Sequence, residues 1–135
     1  MSPRAQTLLA VKDVLKSSKW YANLLQLEML SRTKAETHGN TYNRLLSNGE
    51  VVLQLHSWDD EEHPNLIDAR RCVVGHGVLV WFEIDDFEQA IARAKKLKAD
   101  VVVAAHINPG PNHWELWLRD PDGYHVVLSS PDGEV

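Results

Sequence analysis

Apolar positions along this chain switch between a spacing of two and a spacing of three to four, and they do so twice in the same order. Residues 7-TLLAVKDV-14 begin as a short apolar run and stop at Asp13, a residue type suited to capping a helix. From Val14 to about Leu27, residues Leu15, Trp20, Tyr21, Leu24, Leu25 and Leu27 recur at helical spacing, with Lys16, Lys19 and Gln26 between them. One amphipathic helix is predicted there. Turn signals at His38-Gly39-Asn40 and Ser47-Asn48-Gly49 divide residues 28–58 into β-compatible runs, so a three-strand meander is expected. The pattern then returns. The run 78-VLVWFEI-84 reads as a strand, Asp85-Asp86 follow, and a helix over 87–99 carries Phe87, Ala90, Ile91, Ala94 and Leu97 on one stripe. Strands over 101–107, 113–119 and 125–130 complete the series, separated by 108-NPGPN-112 and Asp120-Pro121-Asp122-Gly123.

Superposing Val11 on Ile84 shifts the chain by 73 residues and brings Asp13, Leu24 and Met29 onto Asp86, Leu97 and Val102. The halves match in pattern rather than identity. Each reads strand, helix, strand, strand, strand, and neither could cover both faces of its own sheet. The expected fold class is α+β, with two βαβββ modules forming a curved mixed sheet around a concave cavity and the helices outside. Length fits one domain over residues 1–135. Module 1 spans about 5–58, an acidic linker with Pro64 about 59–76, and module 2 about 77–131.

Composition narrows the function classes. Hydrophobic residues make up 44% and charged residues 24%, as in ordinary globular proteins, and the net charge is −5. No basic field exists to neutralise a phosphate backbone, so nucleic acid is not an expected partner. Arg4, Lys12, Asp13, Lys16, Lys19 and Glu28 interrupt the first thirty residues, which therefore do not read as a signal peptide or membrane span. A cytoplasmic protein without membrane association is expected. Cys72 is the only cysteine, which leaves no intrachain disulfide and no thiolate metal cluster. The run Asp59-Asp60-Glu61-Glu62 lacks calcium-loop spacing, and 108-NPGPN-112 leads into a strand, not into a phosphate-binding helix.

The duplicated order, the opening 9-LAVKD-13 with its helix and the closing 117-WLRDPDGY-124 together resemble the vicinal oxygen chelate superfamily. That superfamily includes glyoxalase I, extradiol dioxygenases, fosfomycin-modifying enzymes and bleomycin resistance proteins. The resemblance implies a homodimer and, in metal-dependent members, ligands on the first and last strands of each half. Carried onto this chain, those positions are Gln6, Gln54, Leu79 and Val127. Leu and Val offer no donor, and two glutamines could not hold a catalytic cation alone, so no metal or other cofactor is expected.

Strand side chains two residues apart share a face. His56 therefore goes with Gln54, Glu83 with Trp81, and His125 with Val127, while Glu115 and Trp117 join them if strand 113–119 alternates in the same way. Gln54, His56, Trp81, Glu83, Glu115, Trp117 and His125 are the expected ligand-binding residues: aromatic walls to bury apolar surface and a few polar groups to orient it. For His125 three roles stand open, namely acid–base catalysis aided by Glu83 or Glu115, ligand contact, or a hydrogen-bonded strand end. The favoured expectation is a metal-independent small-molecule binding protein of the bleomycin-resistance type. The alternative is a glyoxalase-like lyase, isomerase or dioxygenase, in which His56, Glu83 and His125 serve as displaced metal ligands or catalytic groups.

Overall fold

Asp13 ends the first strand and starts the first helix, as its side chain dictates. Its backbone is extended (φ −128°) and its carboxylate accepts from the Lys16 amide at 3.0 Å, satisfying one of the donors that a helix start leaves open. In the computed structural model, residues 4–30, 41–58, 75 and 78–135 are described, so Cys72, the acidic run and the His38-Gly39-Asn40 turn lie outside the described residues.

The chain divides into two compact units, residues 1–73 and 74–135. The first runs β1 (Leu8–Val11), α1 (Val14–Leu25), β2 (Glu28–Leu30), β3 (Tyr42–Ser47) and β4 (Glu50–Ser57). The second runs β5 (Val80–Glu83), α2 (Phe87–Lys96), β6 (Asp100–Asn108), β7 (His113–Arg119) and β8 (His125–Ser129). Both are βαβββ modules, and the fold class is α+β. Strand orders are β1-β4-β3-β2 and β5-β8-β7-β6, each with a parallel first-to-last pair and antiparallel neighbours elsewhere. The duplication extends to the hydrogen-bond register. Leu8 pairs with Gln54 and Arg44 with Gln54 in the first sheet; Trp81 pairs with Val127 and Trp117 with Val127 in the second, every position 73 residues on.

Alternation divides each sheet into two faces. In the first module Leu9, Val11, Leu45, Leu53 and Leu55 are buried on the face under α1, together with the helix residues Val14, Tyr21 and Leu24. Asn43 is the polar exception on that face, and its amide donates to Ser18 Oγ of α1 at 2.9 Å. In the second, Val80, Leu116, Leu118, Val126 and Leu128 are buried on the face towards α2, and the Phe87 and Trp114 rings stack 6.3 Å apart. α2 ends at Lys96, three residues short of the expected end, because Lys98 takes a left-handed conformation and the Ala99 amide folds back to the Ala94 carbonyl.

Two turns set the strand ends. Asn48 and Gly49 both have positive φ (51° and 81°), the combination that a two-residue hairpin between β3 and β4 requires. The Asp-Pro-Asp-Gly turn is built on buried Asp120, whose Oδ1 accepts from the Asp122 and Tyr124 amides at 2.9 Å each. Among the described residues no helix is long and apolar enough to cross a membrane.

Replacing Asp13 by Ala is expected to cost about 1 kcal/mol of stability, a typical loss for a helix cap. Asp120→Ala strands two turn amides and is expected to cost at least as much. Urea denaturation measures both; an unchanged midpoint for either variant would show that the carboxylate does not hold its turn.

Candidate functional site

Turning the apolar face of the second sheet towards α2 leaves the other face to carry chemistry. There Trp81, Val127 and Trp117 lie side by side on β5, β8 and β7. Val127 is completely buried between its two cross-strand tryptophans, whereas Trp81 remains 43% exposed. The Trp81 indole N–H donates to Ser129 Oγ at 2.9 Å, and the Trp117 indole to Glu115 Oε1 at 3.0 Å, so both rings are tethered at their polar edge. The next row along contains Glu83, Ser129, Glu115 and His106. Glu115 and Trp117 thus keep the expected alternation. His125 pairs with Arg119 at the opposite end of the face. Four residues of strand, about 13 Å, separate its row from that of Glu83 and Glu115, beyond hydrogen-bond reach of either carboxylate and too far for Glu83 to share a metal ion with it.

Glu115 is the most heavily engaged side chain of this face, although it is only 2% exposed. Its Oε2 accepts from His113 Nε2 at 2.6 Å and from the Asn108 amide at 2.8 Å, and its Oε1 lies 3.7 Å from His106 Nε2 besides taking the Trp117 indole. His113 also reaches Asp132 through Nδ1 at 3.0 Å. Donating to two carboxylates requires both ring protons, hence an imidazolium. The hydrogen bond to Glu115 raises the pKa of His113 above its usual value against the opposing effect of burial, and Asp132 adds to the rise. For Glu115, burial alone would push the pKa up, but hydrogen bonds from His113, Trp117 and Asn108 outweigh it and hold the carboxyl below its ordinary value. With both oxygens occupied, Glu115 fixes the shape of the face and is not a poised base. His113 follows the Pro/Gly loop yet is buried, with Asp132 and Glu115 enclosing it.

The first module presents Gln54 and His56 on its open face, next to Leu8, Ala10, Tyr42 and Arg44. The Tyr42 hydroxyl donates to Gln54 Oε1 at 2.5 Å, and Gln54 Nε2 donates to the Gln6 carbonyl at 3.0 Å. The amide is therefore a strut between strands. His56 Nδ1 lies 2.7 Å from the Ser57 carbonyl, which requires the proton on that nitrogen, and its ring centre is 6.1 Å from that of Tyr42. Tyr42 and Arg44 do not stand out in the sequence. The signal that could have found them is their place two strand positions apart opposite His56 and Gln54.

A divalent cation does not fit the family's ligand positions on these modules. Val127 is apolar and covered, Leu79 has no donor, and Gln54 is committed at both ends of its amide. Gln6 is engaged through its backbone carbonyl. Among the described residues no three His, Cys, Asp or Glu side chains converge on a point that could hold a metal. Two cavities of the second module, of about 410 and 510 Å³, lie on the helix side of its sheet. Phe87, Glu88 and Trp114 line one; Ile91, Ala94, Lys95 and Leu116 line the other.

The buried pair gives stability a defined pH window. His113 has a raised folded pKa, so its contribution is complete below the unfolded value of 6.5 and is lost as pH rises through the folded one. Glu115 has a lowered folded pKa, so its contribution is complete above 4.5 and is lost as pH falls through the folded one. Glu115→Gln is expected to destabilise the protein most between these pH values, by about 1–3 kcal/mol, with the deficit shrinking on the alkaline side. Denaturant titrations across pH 4–9 measure this; a deficit independent of pH would show that the pair is not charged.

Among curated proteins none matches this sequence. Three solved structures show how widely the fold recurs. TioX from Micromonospora sp. ML1 is 19% identical, with 96% of this chain and 98% of that one covered and a TM-score of 0.68. A lactoylglutathione lyase from Agrobacterium tumefaciens is 20% identical, with 96% and 94% covered and a TM-score of 0.66. A glyoxalase-related enzyme from Fulvimarina pelagi is 13% identical, with 96% and 88% covered and a TM-score of 0.71. At these identities the likeness is one of fold. Residues 4–128 match the family directly in sequence, and with the duplicated βαβββ register they place the chain: it belongs to the Glyoxalase/Bleomycin resistance protein/Dioxygenase superfamily.

Proposed function

We propose that this protein is a metal-independent, cytoplasmic and homodimeric small-molecule binder of the bleomycin-resistance type, using the open sheet faces of its modules. The observation that carries the reading is the Trp81–Val127–Trp117 row, a covered aliphatic residue flanked by two indoles, at a position to which the family resemblance assigns a metal ligand. Exposed indole surface rewards a flat or apolar molecule, since aromatic burial contributes both area and ring-packing geometry. Glu83 and His125 lie at opposite ends of the same face as polar contacts, and Glu115 holds the Trp117 edge in place. On the first module Gln54 and His56 are the corresponding polar contacts.

Protein treated with chelator is expected to keep its thermal midpoint, and screening it against aromatic small molecules is expected to find compounds that raise that midpoint. Stabilisation of about 2.7 kcal/mol corresponds to a ligand at one hundred times its dissociation constant. Trp81→Ala is expected to weaken such a compound at least tenfold with little effect on folding, because that ring is substantially exposed. About one tightly held divalent metal per chain, lost on His125→Ala, would instead establish a displaced metal centre and end the binder reading.

A further inference from the structure

We propose that Arg44 makes the open face of the first module a binding site for carboxylates with an apolar body, taking the ligand's oxygens by a guanidinium where related proteins use a metal. The inference rests on the reading of the open faces as binding surfaces and adds the chemical class of the ligand.

Arg44 sits at the centre of β3, directly opposite Gln54 of β4 and beside Leu30 of β2, in the row that begins with Leu8 of β1. Its Nε is buried and has no hydrogen-bond partner among the described residues. A buried donor without an acceptor is costly and rare in native proteins, and a charged one more so. Glu28 is the nearest carboxylate on the flanking strands, two residues along β2 from Leu30, and it forms no ion pair with Arg44 among the described residues. The face therefore carries a preformed cation that lacks an anion among the described residues.

The surroundings specify what that anion is attached to. Leu8 and Leu30 flank the row and are exposed, so each side of the guanidinium offers uncovered aliphatic surface. Gln54, clamped by the Tyr42 hydroxyl and the Gln6 carbonyl, holds a fixed orientation beside it. A planar guanidinium pairs with carboxylate through two parallel N–H···O bonds, and its two terminal nitrogens present such a fork. The same charge, one strand away from Gln54, also opposes any divalent cation at the family's metal position.

The test uses phenylacetate and its neutral counterpart phenylacetamide as probes, with thermal shift and calorimetry on the full-length chain. Phenylacetate is expected to bind the wild-type protein at least tenfold more tightly than phenylacetamide. Arg44→Met, which keeps the aliphatic stem, is expected to weaken phenylacetate about tenfold to a hundredfold, and Arg44→Lys to fall between. Without any probe, Arg44→Met is expected to leave the thermal midpoint unchanged or raise it, because no partner among the described residues is lost. Equal binding of acid and amide, or full retention of phenylacetate binding by Arg44→Met, overturns the anion site and leaves the open-face reading standing. A fall of several degrees in the midpoint of probe-free Arg44→Met also overturns it, since the guanidinium would then be a structural anchor. Binding of neither probe to the wild-type protein removes the site altogether.

Discussion

Burial of one sheet face under each helix is the constraint on which the remaining structure depends. Leu9, Leu53 and Leu55 in the first module, and Leu118, Val126 and Leu128 in the second, are withdrawn almost completely from water. At a typical 1.5–3 kcal/mol for each large aliphatic side chain, these faces dominate the energetics and allow no change of strand register. Residues of the opposite parity are thereby assigned to the open faces. A slip of one position would put Val127 under the helix and Leu128 on the open side, reversing every contact described for the Trp81 row.

Within that frame, Glu115 shows how a polar group can be buried without becoming a reaction centre. An isolated carboxylate buried this deeply would lose its solvation without compensation and take up a proton. Donors from β6 and β7 converge instead, and the protonated His113 passes the interaction on to Asp132 in the chain after β8. The network fixes the edge of Trp117 and stiffens the wall beside Val127. Its members serve positioning, which separates them chemically from the exposed Trp81 and from Arg44, whose Nε has no acceptor among the described residues.

Much of this was legible in the chain, and the parts that were not share one physical reason. Period-two and period-four spacing, the Asp13 cap and the 73-residue repeat all report neighbours along the backbone or on one face, and the parallel ladders carry that repeat through three pairs, from Leu8–Gln54 to Ala10–His56 and from Trp81–Val127 to Glu83–Ser129. The sharing of a face by Gln54 with His56, and by Glu115 with Trp117, follows from parity alone. What parity cannot give is the partner across strands. Glu83 and His125 share a face yet stand about 13 Å apart, because β5 and β8 pair in parallel with Glu83 opposite Ser129. His113 is buried by Asp132, nineteen residues on, and Arg44 becomes distinctive only once Gln54 and Leu30 flank it and its Nε finds no acceptor among the described residues.

The claim that unites these features is that the open faces bind an organic molecule without a metal. Five tryptophans report on it from separate places: Trp81 and Trp117 on the open face of the second sheet, Trp114 on its helix side, Trp20 on α1 and Trp58 beyond β4. Indole N–H resonances, assigned by single Trp→Phe replacements and followed by heteronuclear NMR during titration of a stabilising compound into chelator-treated protein, distinguish them. The account predicts shifts concentrated at Trp81 and Trp117, with Trp20 and Trp114 unmoved. Shifts confined to Trp114 would place the ligand in the helix-side cavity beside Phe87 and contradict it.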